Sequence, residues 1–270
     1  ATYHVAPEVF AELGAHVITL GRSPDGFNIN EKCGVMNLDA LQASVREHQA
    51  DAGIALDGDG DRLIMVDAES EVVDGDELTF IIARWRYELG YLGGSVVGTE
   101  MSNLGLEEAI KTLGLGFERA KVGDRYVMEA LQRGGWSLGG EPSGHIICLD
   151  LTTTGDGIVS ALQVLEAMAA GCGSLNKTRN GMKRYPQSLI NVHGGNKVEV
   201  LASPIVKRAI PRAETRLAGE GRVLVRPSGT EPVIRIMVEG REHPQVESVA
   251  CELASTVEKV VGDGPPAEVA

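Results

Sequence analysis

Positive charge is scarce in this sequence: 25 Lys and Arg stand against 38 Asp and Glu over 270 residues, a formal charge of −13 at pH 7. A surface of that sign repels a phosphate backbone and an anionic bilayer, which argues against nucleic acid and membrane as general partners. Any anionic ligand must be held by local donors, so the few basic residues beside glycine-rich loops carry the information. Cysteine is scarce as well. Cys33, Cys148, Cys172 and Cys251 lie far apart with no Cys-x-x-Cys pair, which argues against structural zinc and a disulfide framework and fits a reducing cytoplasm. Long apolar runs are missing. Even the stretch 78–82 is closed by Arg84, far short of the ~18 residues of a membrane span, so a soluble chain is expected. The first residues, ATYHVAPEVF, have neither an initiator Met nor the basic and apolar regions of a signal peptide, and Ala1 reads as a cut end. Fixed-period repeats and low-complexity tracts are absent too.

What is present is a 43% apolar chain, enough for roughly two domains with a buried core. Short β-branched runs alternate with longer helical patterns, the mark of α/β units. The first stretch predicts a helix through Val9 and Leu13 ended by Gly14, a strand over 16–20, and a helix face at Leu38, Leu41 and Val45. A buried strand over 53–56 follows, with further strands at 63–66 and 72–73. An α/β unit ordinarily opens with a strand and this one opens inside a helix. The first module is therefore expected to lack its leading strand and to associate through the unfilled position. A second module is predicted from helix 76–87, strand 95–98, helix 104–113, strand 117–122, helix 125–132, strands 136–138 and 146–149, and a long helix 157–170 with Asp156 against its dipole. The segment GCGSLNKTRNGMKRYPQ marks a boundary near Tyr185, after which come a strand, helix 203–217, strands 222–225 and 233–238, and helix 245–260. The expected domains are 1–75, 76–186 and 187–262, with a flexible tail over 263–270.

Three loops carry chemistry. Asp57, Asp59 and Asp61 follow a buried strand at a spacing of two, which puts three carboxylates on one side of an extended segment. They repel one another unless a cation neutralises them, and hard oxygen donors interleaved with glycines suit Mg²⁺ or Mn²⁺. A calcium EF-hand loop also starts D-x-D-x-D, but here its sixth position is Arg62 and its twelfth is Ala68. The second loop, Gly140 to His145, sets the carboxylate of Glu141 near the hydroxyl of Ser143, a pair able to read neighbouring sugar hydroxyls. In the third, Arg226, Ser228, Gly229 and Thr230 offer a bidentate guanidinium, hydroxyls and backbone N–H groups to a phosphate, with Arg235 on the next strand. Lys121 and Arg125 bracket a strand-to-helix turn and serve equally as ligand donors or as partners of the acidic surface. The histidines show no metal spacing and read as structural.

In chain order, DGDGDR at Asp57, GEPSGH at Gly140 and RPSGTEP at Arg226 resemble the loops of the α-D-phosphohexomutases, and the resemblance covers essentially the whole chain. PDGFNIN at Pro24, MSNLGLE at Met101, AKVGDRYV at Ala120 and TTTGDGIV at Thr152 look like the branch that interconverts glucosamine 6-phosphate and glucosamine 1-phosphate for UDP-N-acetylglucosamine and peptidoglycan. The resemblance implies successive α/β modules followed by a C-terminal α+β phosphate-binding domain, in a cytoplasmic isomerase that uses Mg²⁺. It implies a small-molecule sugar phosphate as partner and leaves room for a homodimer of the complete enzyme. In such enzymes a phosphoserine in the first of four domains exchanges its phosphoryl group with the sugar phosphate. The resemblance assigns Asp57, Asp59 and Asp61 to Mg²⁺, Arg62 and Lys121 to catalysis, and Glu141, Ser143 and His145 to the sugar. Arg226, Ser228, Gly229, Thr230 and Arg235 are assigned to the phosphate that is not reacting. No Ser-His-Asn-Pro loop of the kind that carries the phosphoserine occurs. The chain is therefore expected to correspond to the second, third and fourth domains and to be inactive alone. The alternatives are a branch acting on mannose or glucose phosphates, which shares the three loops, and a non-catalytic sugar-phosphate binder.

Overall fold

The structure is a computed structural model that describes residues 2–228 and 231–262, apart from the side chain of Cys172. Two compact units are formed, one from Ala1–Ser102 with Leu106–Lys183 and the other from Asn103–Gly105 with the chain from Arg184 onward.

The first unit begins with α1 (Val5–Glu12) and α2 (Asp39–His48) and an antiparallel sheet of β1 (Ala52–Leu56), β2 (Leu63–Asp67) and β3 (Val72–Val73) in the order β1-β2-β3. Leu56 pairs with Leu63, so β1 and β2 are a hairpin and residues 57–62 are its connection. The central β2 is buried along its whole length, whereas the edge strand β1 buries only Gly53 and Ala55. Helix α3 (Gly75–Glu88) then leads to β4 (Ser95–Thr99), α4 (Leu104–Thr112), β5 (Gly116–Ala120), α5 (Asp124–Gly134), β6 (Leu138–Gly140), β7 (Ile146–Cys148), α6 (Gly157–Ala167) and the short α7 (Leu175–Thr178). Its sheet runs β5-β4-β6-β7, with β4 parallel to β5 and β6, and β7 antiparallel to β6. A single buried cluster takes in Phe10, Leu63, Met65, Leu78, Ile110 and Ile146.

The start of α3 is closed by a capping box: the Asp74 carboxylate accepts from the backbone N–H of Asp76 and Glu77, at 3.0 and 3.1 Å, and the Glu77 carboxylate accepts from Asp74 N–H. Arg179 reaches back to Asp67 and Glu77, both at 3.3 Å, so these buried carboxylates are paired.

The second unit contains β8 (Gln187–His193), α8 (Lys197–Ala202), α9 (Pro204–Arg216), β9 (Gly221–Pro227), β10 (Val233–Gly240) and α10 (His243–Gly262). Its antiparallel sheet has the order β8-β10-β9 and packs Val192, Ile234 and Ile236 against Val246, Val249 and Leu253 of α10. Residues 103–105 group with this unit through hydrogen bonds: Asn103 pairs both ways with the Tyr185 backbone, at 2.9 and 3.0 Å, and the Leu104 N–H donates to the buried carboxylate of Glu239.

Several expectations are corrected. Residues 16–20 form no strand: no strand among the described residues lies beside them to take their N–H and C=O groups, Ile18 and Leu20 are exposed, and only Val17 packs against the core. The strand expected at 136–138 lies at Leu138–Gly140, because Leu138 pairs with Cys148 across the GEPSGH turn. Helix α6 passes beyond Ala167 into wider turns that run to Cys172, with Gly171 at φ +113° inside them. Helix α8 was not anticipated; Asn196 caps it. The tail 263–270 lies outside the described residues. Cys33, Cys148 and Cys251 are free thiols, and burial pushes the Cys148 thiol up to about 11, where it stays protonated at neutral pH. Among the described residues no helix is long and apolar enough to cross a membrane.

Because Asp74 closes the first turn of a helix whose residues 75–83 are all buried, Asp74→Ala is expected to lower stability by about 1 kcal/mol. Asp74→Asn should lower it less. Urea unfolding of the two variants at one pH measures the difference.

Candidate functional site

The hairpin connection after β1 turns on its own first residue. Asp57 Oδ1 accepts from Gly60 N–H and Arg62 N–H, both at 3.1 Å, and Gly60 takes φ +81°, a conformation that costs glycine little. This turn gathers Asp57, Asp59 and Asp61 so that one carboxylate oxygen from each lies within 4.8 Å of the others. Arg62 Nε stands 3.8 Å from Asp57 Oδ2 and 4.0 Å from Asp61 Oδ1.

Two further loops hold this one in place. The GEPSGH turn is closed by Gly144 N–H donating to Glu141 O and by Glu141 N–H donating to His145 O, each 3.0 Å. It docks on the hairpin through Leu63 N–H to Gly144 O at 2.9 Å and a bridge between Arg62 and His145. A Cβ on Gly144 would strike the Leu63 backbone, and one on Gly75 would strike the backbone of Glu141 and Gly144, so the start of α3 is pressed onto the same turn. His145 is buried and its Nε2 lies 3.4 Å from Asp61 Oδ2. From the other side, Gly157 N–H donates to Gly60 O at 2.8 Å; a Cβ there would come within 2.7 Å of Arg62 O. Asp156 caps α6 by accepting from Ile158 and Val159 N–H, and Gly155 leaves the space that the His145 ring fills.

The electrostatics follow from this crowding. Loss of hydration on burial pushes Asp61 above the ordinary carboxylate value, the hydrogen bond with Asp57 and the charges of Asp57 and Asp59 add to it, and His145 opposes it. Asp61 Oδ1, Arg62 Nε and His145 Nδ1 are buried atoms without a hydrogen-bond partner among the described residues. A buried carboxylate oxygen with an open coordination position, between two other carboxylates, fits a hard divalent cation.

Glu141 is buried and one of its oxygens accepts from Gly123 N–H at 2.9 Å, which joins the GEPSGH turn to the turn after β5. Ser143 stands exposed at the turn's tip. Lys121 is exposed, with its ammonium 5.8 Å from the Tyr126 ring centroid.

In the second unit Arg226 belongs to the end of β9 and not to the loop itself, and its Cα partner across the sheet is Arg235. Two like charges set opposite each other are unfavourable. Arg235 is met by Glu231 at 2.5 Å, and the Nε atoms of both arginines are buried without a hydrogen-bond partner among the described residues. Ser228 is buried; its Oγ accepts from Glu231 N–H at 3.2 Å. Lys197, which sequence reading missed, donates to Ser228 O at 2.7 Å and Glu231 O at 3.1 Å and so ties down the loop. Gly229 and Thr230 lie outside the described residues.

The fold and this site define an α/β protein with a carboxylate centre suited to a hard cation and a separate arginine-bearing strand end. Three family models match in chain order: phosphoglucomutase/phosphomannomutase alpha/beta/alpha domain II over residues 1–70, domain III over 74–185, and the C-terminal domain over 189–256. The chain belongs to the phosphoglucomutase/phosphomannomutase family. It is 60% identical over 263 residues to the phosphoglucosamine mutase of Thioalkalivibrio sulfidiphilus, covering 96% of this chain and 58% of that one. To the phosphoglucosamine mutase of Alkalilimnicola ehrlichii it is 63% identical over 257 residues, 95% of this chain and 57% of that one. The chain thus spans somewhat under three fifths of the length of these relatives. Among solved structures, a phosphoglucomutase/phosphomannomutase family protein from Burkholderia thailandensis superposes with a TM-score of 0.80 at 19% identity, covering 98% of this chain and 59% of that one. Aspergillus fumigatus N-acetylphosphoglucosamine mutase in complex with GlcNAc-6P and magnesium superposes with a TM-score of 0.68 at 21% identity, over 86% of this chain and 54% of that one. Both share the fold.

A raised Asp61 means that the metal-free folded state holds this proton more tightly than the unfolded chain does. Metal-free stability therefore falls as pH rises from the ordinary carboxylate value through the raised one. Asp61→Asn is expected to raise the metal-free melting temperature at neutral pH. It should also abolish the stabilisation by Mg²⁺, which in the unsubstituted chain should reach about 2.7 kcal/mol at a hundred times the dissociation constant. Scanning calorimetry with and without Mg²⁺ reads both effects.

Proposed function

We propose that this chain forms the metal-, sugar- and phosphate-binding part of a phosphoglucosamine mutase, an isomerase that interconverts glucosamine 6-phosphate and glucosamine 1-phosphate in amino-sugar metabolism. The observation that carries the reading is the convergence of the Asp57–Asp61 turn with the GEPSGH turn and the start of α6, in a chain 54–63% identical to phosphoglucosamine mutases over nearly its whole length. The proposed domains are those expected from the sequence, 1–75 for the metal, 76–186 for the sugar and 187–262 for the phosphate.

Asp57, Asp59 and Asp61 would hold Mg²⁺, the ion in the Aspergillus complex. When bound, it withdraws charge from a phosphoryl group, and phosphoryl transfer needs such neutralisation and positioning more than it needs a protein base. Arg62 adds guanidinium donors at the rim of that centre. Glu141 keeps one oxygen on Gly123 and offers the other to sugar hydroxyls, Ser143 presents an exposed hydroxyl beside it, and His145 braces Asp61. Lys121, on the same turn as Gly123, supplies a mobile cation for the reacting phosphate. Arg226, Ser228 and Arg235, with Gly229 and Thr230, hold the phosphate that is not reacting. The phosphoryl donor is a serine that these residues do not supply. The complete protein is read as cytoplasmic, with room for a homodimer.

Two measurements test this. Arg226→Lys keeps the charge but loses the bidentate fork, so hexose-phosphate binding followed by chemical-shift titration should weaken roughly tenfold. A coupled assay for glucosamine 1-phosphate, with Mg²⁺ and a sugar bisphosphate, should give no turnover for these 270 residues and turnover for the complete protein, with glucosamine phosphates preferred to glucose phosphates. Turnover by the chain alone would mean that another residue here replaces the serine, and a preference for glucose phosphates would move the protein to a different branch of the family.

A further inference from the structure

The segment PDGFNIN is not used by any role described above, yet it sits on the metal turn. A Cβ on Gly58 would come within 2.5 Å of Ile29 Cδ1, and a cavity of about 320 Å³ is lined by Ile29, Asn30 and Met36 on one side and by Asp57, Asp59 and Arg62 on the other. The segment has a defined shape. Asp25 Oδ1 accepts from Phe27 and Asn28 N–H at 2.8 and 2.9 Å, while Asn28 returns a bond from its amide to Ser23 O and accepts one from Asp25 N–H.

Past this frame two non-glycine residues lie in the left-handed region, Asn30 with φ +59° and Lys32 with φ +52°. Asparagine tolerates that region better than most residues, although glycine would tolerate it better still. Gly34, at φ +79°, leaves room for the amide: a Cβ there would stand 2.9 Å from Asn30 Oδ1. Among the described residues the Asn30 side chain has no hydrogen-bond partner, so its two N–H donors and its carbonyl are uncommitted beside the carboxylate centre. The apolar neighbours Ile29 and Met36 are 70% and 85% exposed, and a hydrogen bond formed against them in a filled cavity would be less exposed to competing water.

We infer that Asn30 is a ligand-contacting residue, whose amide donates to an oxygen of the phosphate monoester held at the Asp57–Asp61 centre. This rests on the metal-dependent reading proposed above. The chemistry suits the place. A neutral donor there satisfies an anionic oxygen without the extra negative charge that a carboxylate would add. Ordinary left-handed-turn geometry would also explain an asparagine at position 30, and on that account glycine should serve at least as well.

The test uses the 270-residue chain with Mg²⁺ and a hexose 1,6-bisphosphate, which carries a phosphate besides the one assigned to Arg226, by calorimetry for the metal and by ¹⁵N-resolved titration for the sugar phosphate. For Asn30→Gly and Asn30→Ala, Mg²⁺ binding is expected to stay within about twofold while Mg²⁺-dependent sugar-phosphate binding weakens at least about tenfold, the size of a lost bond to a charged oxygen. Asn30→Asp should bind Mg²⁺ at least as tightly as asparagine does and lose the sugar phosphate. In the unsubstituted chain the Asn30 side-chain amide signal should move with the hexose 1,6-bisphosphate only when Mg²⁺ is present. Unchanged sugar-phosphate binding by Asn30→Gly, or an amide signal that ignores the ligand, overturns the assignment and leaves the metal centre standing. A chain that binds no Mg²⁺ at all overturns the metal reading and this inference with it.

Discussion

Mutual repulsion among Asp57, Asp59 and Asp61 is the constraint around which the first unit is arranged. Three carboxylates with oxygens within 4.8 Å of one another are an unfavourable arrangement in a chain already carrying a net charge of −13. What holds them is backbone: two N–H groups donating to Asp57, and the N–H of Gly157 donating to Gly60 O. Arg62 and His145 stand at distances that offset part of the charge, and Asp61 Oδ1 accepts no hydrogen bond among the described residues. The strain is therefore kept and not relaxed, which is the condition for strong attraction to a cation.

Glycine makes this possible at points where chains nearly touch. Gly75, Gly144 and Gly157 each lie where a Cβ would run into the backbone of another loop, and together they let the start of α3, the GEPSGH turn and the start of α6 meet over the hairpin. Caps at Asp74 and Asp156 fix where those two helices begin. Glu141 extends the same network to Gly123, so the GEPSGH turn, the turn after β5 and the carboxylate turn form one connected structure.

The second unit meets the opposite electrostatic problem. Arg226 and Arg235 face each other across a sheet, and Lys197 adds a third cation whose bonds go to loop carbonyls. In an acidic protein such a concentration of positive charge has to be maintained locally. Glu231 pairs with Arg235, and among the described residues Arg226 Nε has no hydrogen-bond partner.

Much of this was legible in one dimension. The Asp-Gly spacing implied converging carboxylates, the β-branched runs implied strands at 53–56, 63–66 and 233–238, each within a strand of the structure, and Asp156 announced a helix start, because spacing, burial pattern and caps are local properties. The family resemblance was carried by loops that are contiguous in sequence. Strand 16–20 was misread because a strand depends on a partner that local pattern cannot supply. Lys197 was missed because its two acceptors lie 31 and 34 residues away, and Gly157 because its role is to be small beside Gly60, nearly a hundred residues earlier. The sequence by itself determined which chemical groups the protein carries and where each turn begins. Tertiary structure alone decided which of them meet, since close backbone contact and opposed charge across a sheet are set by packing between segments distant along the chain.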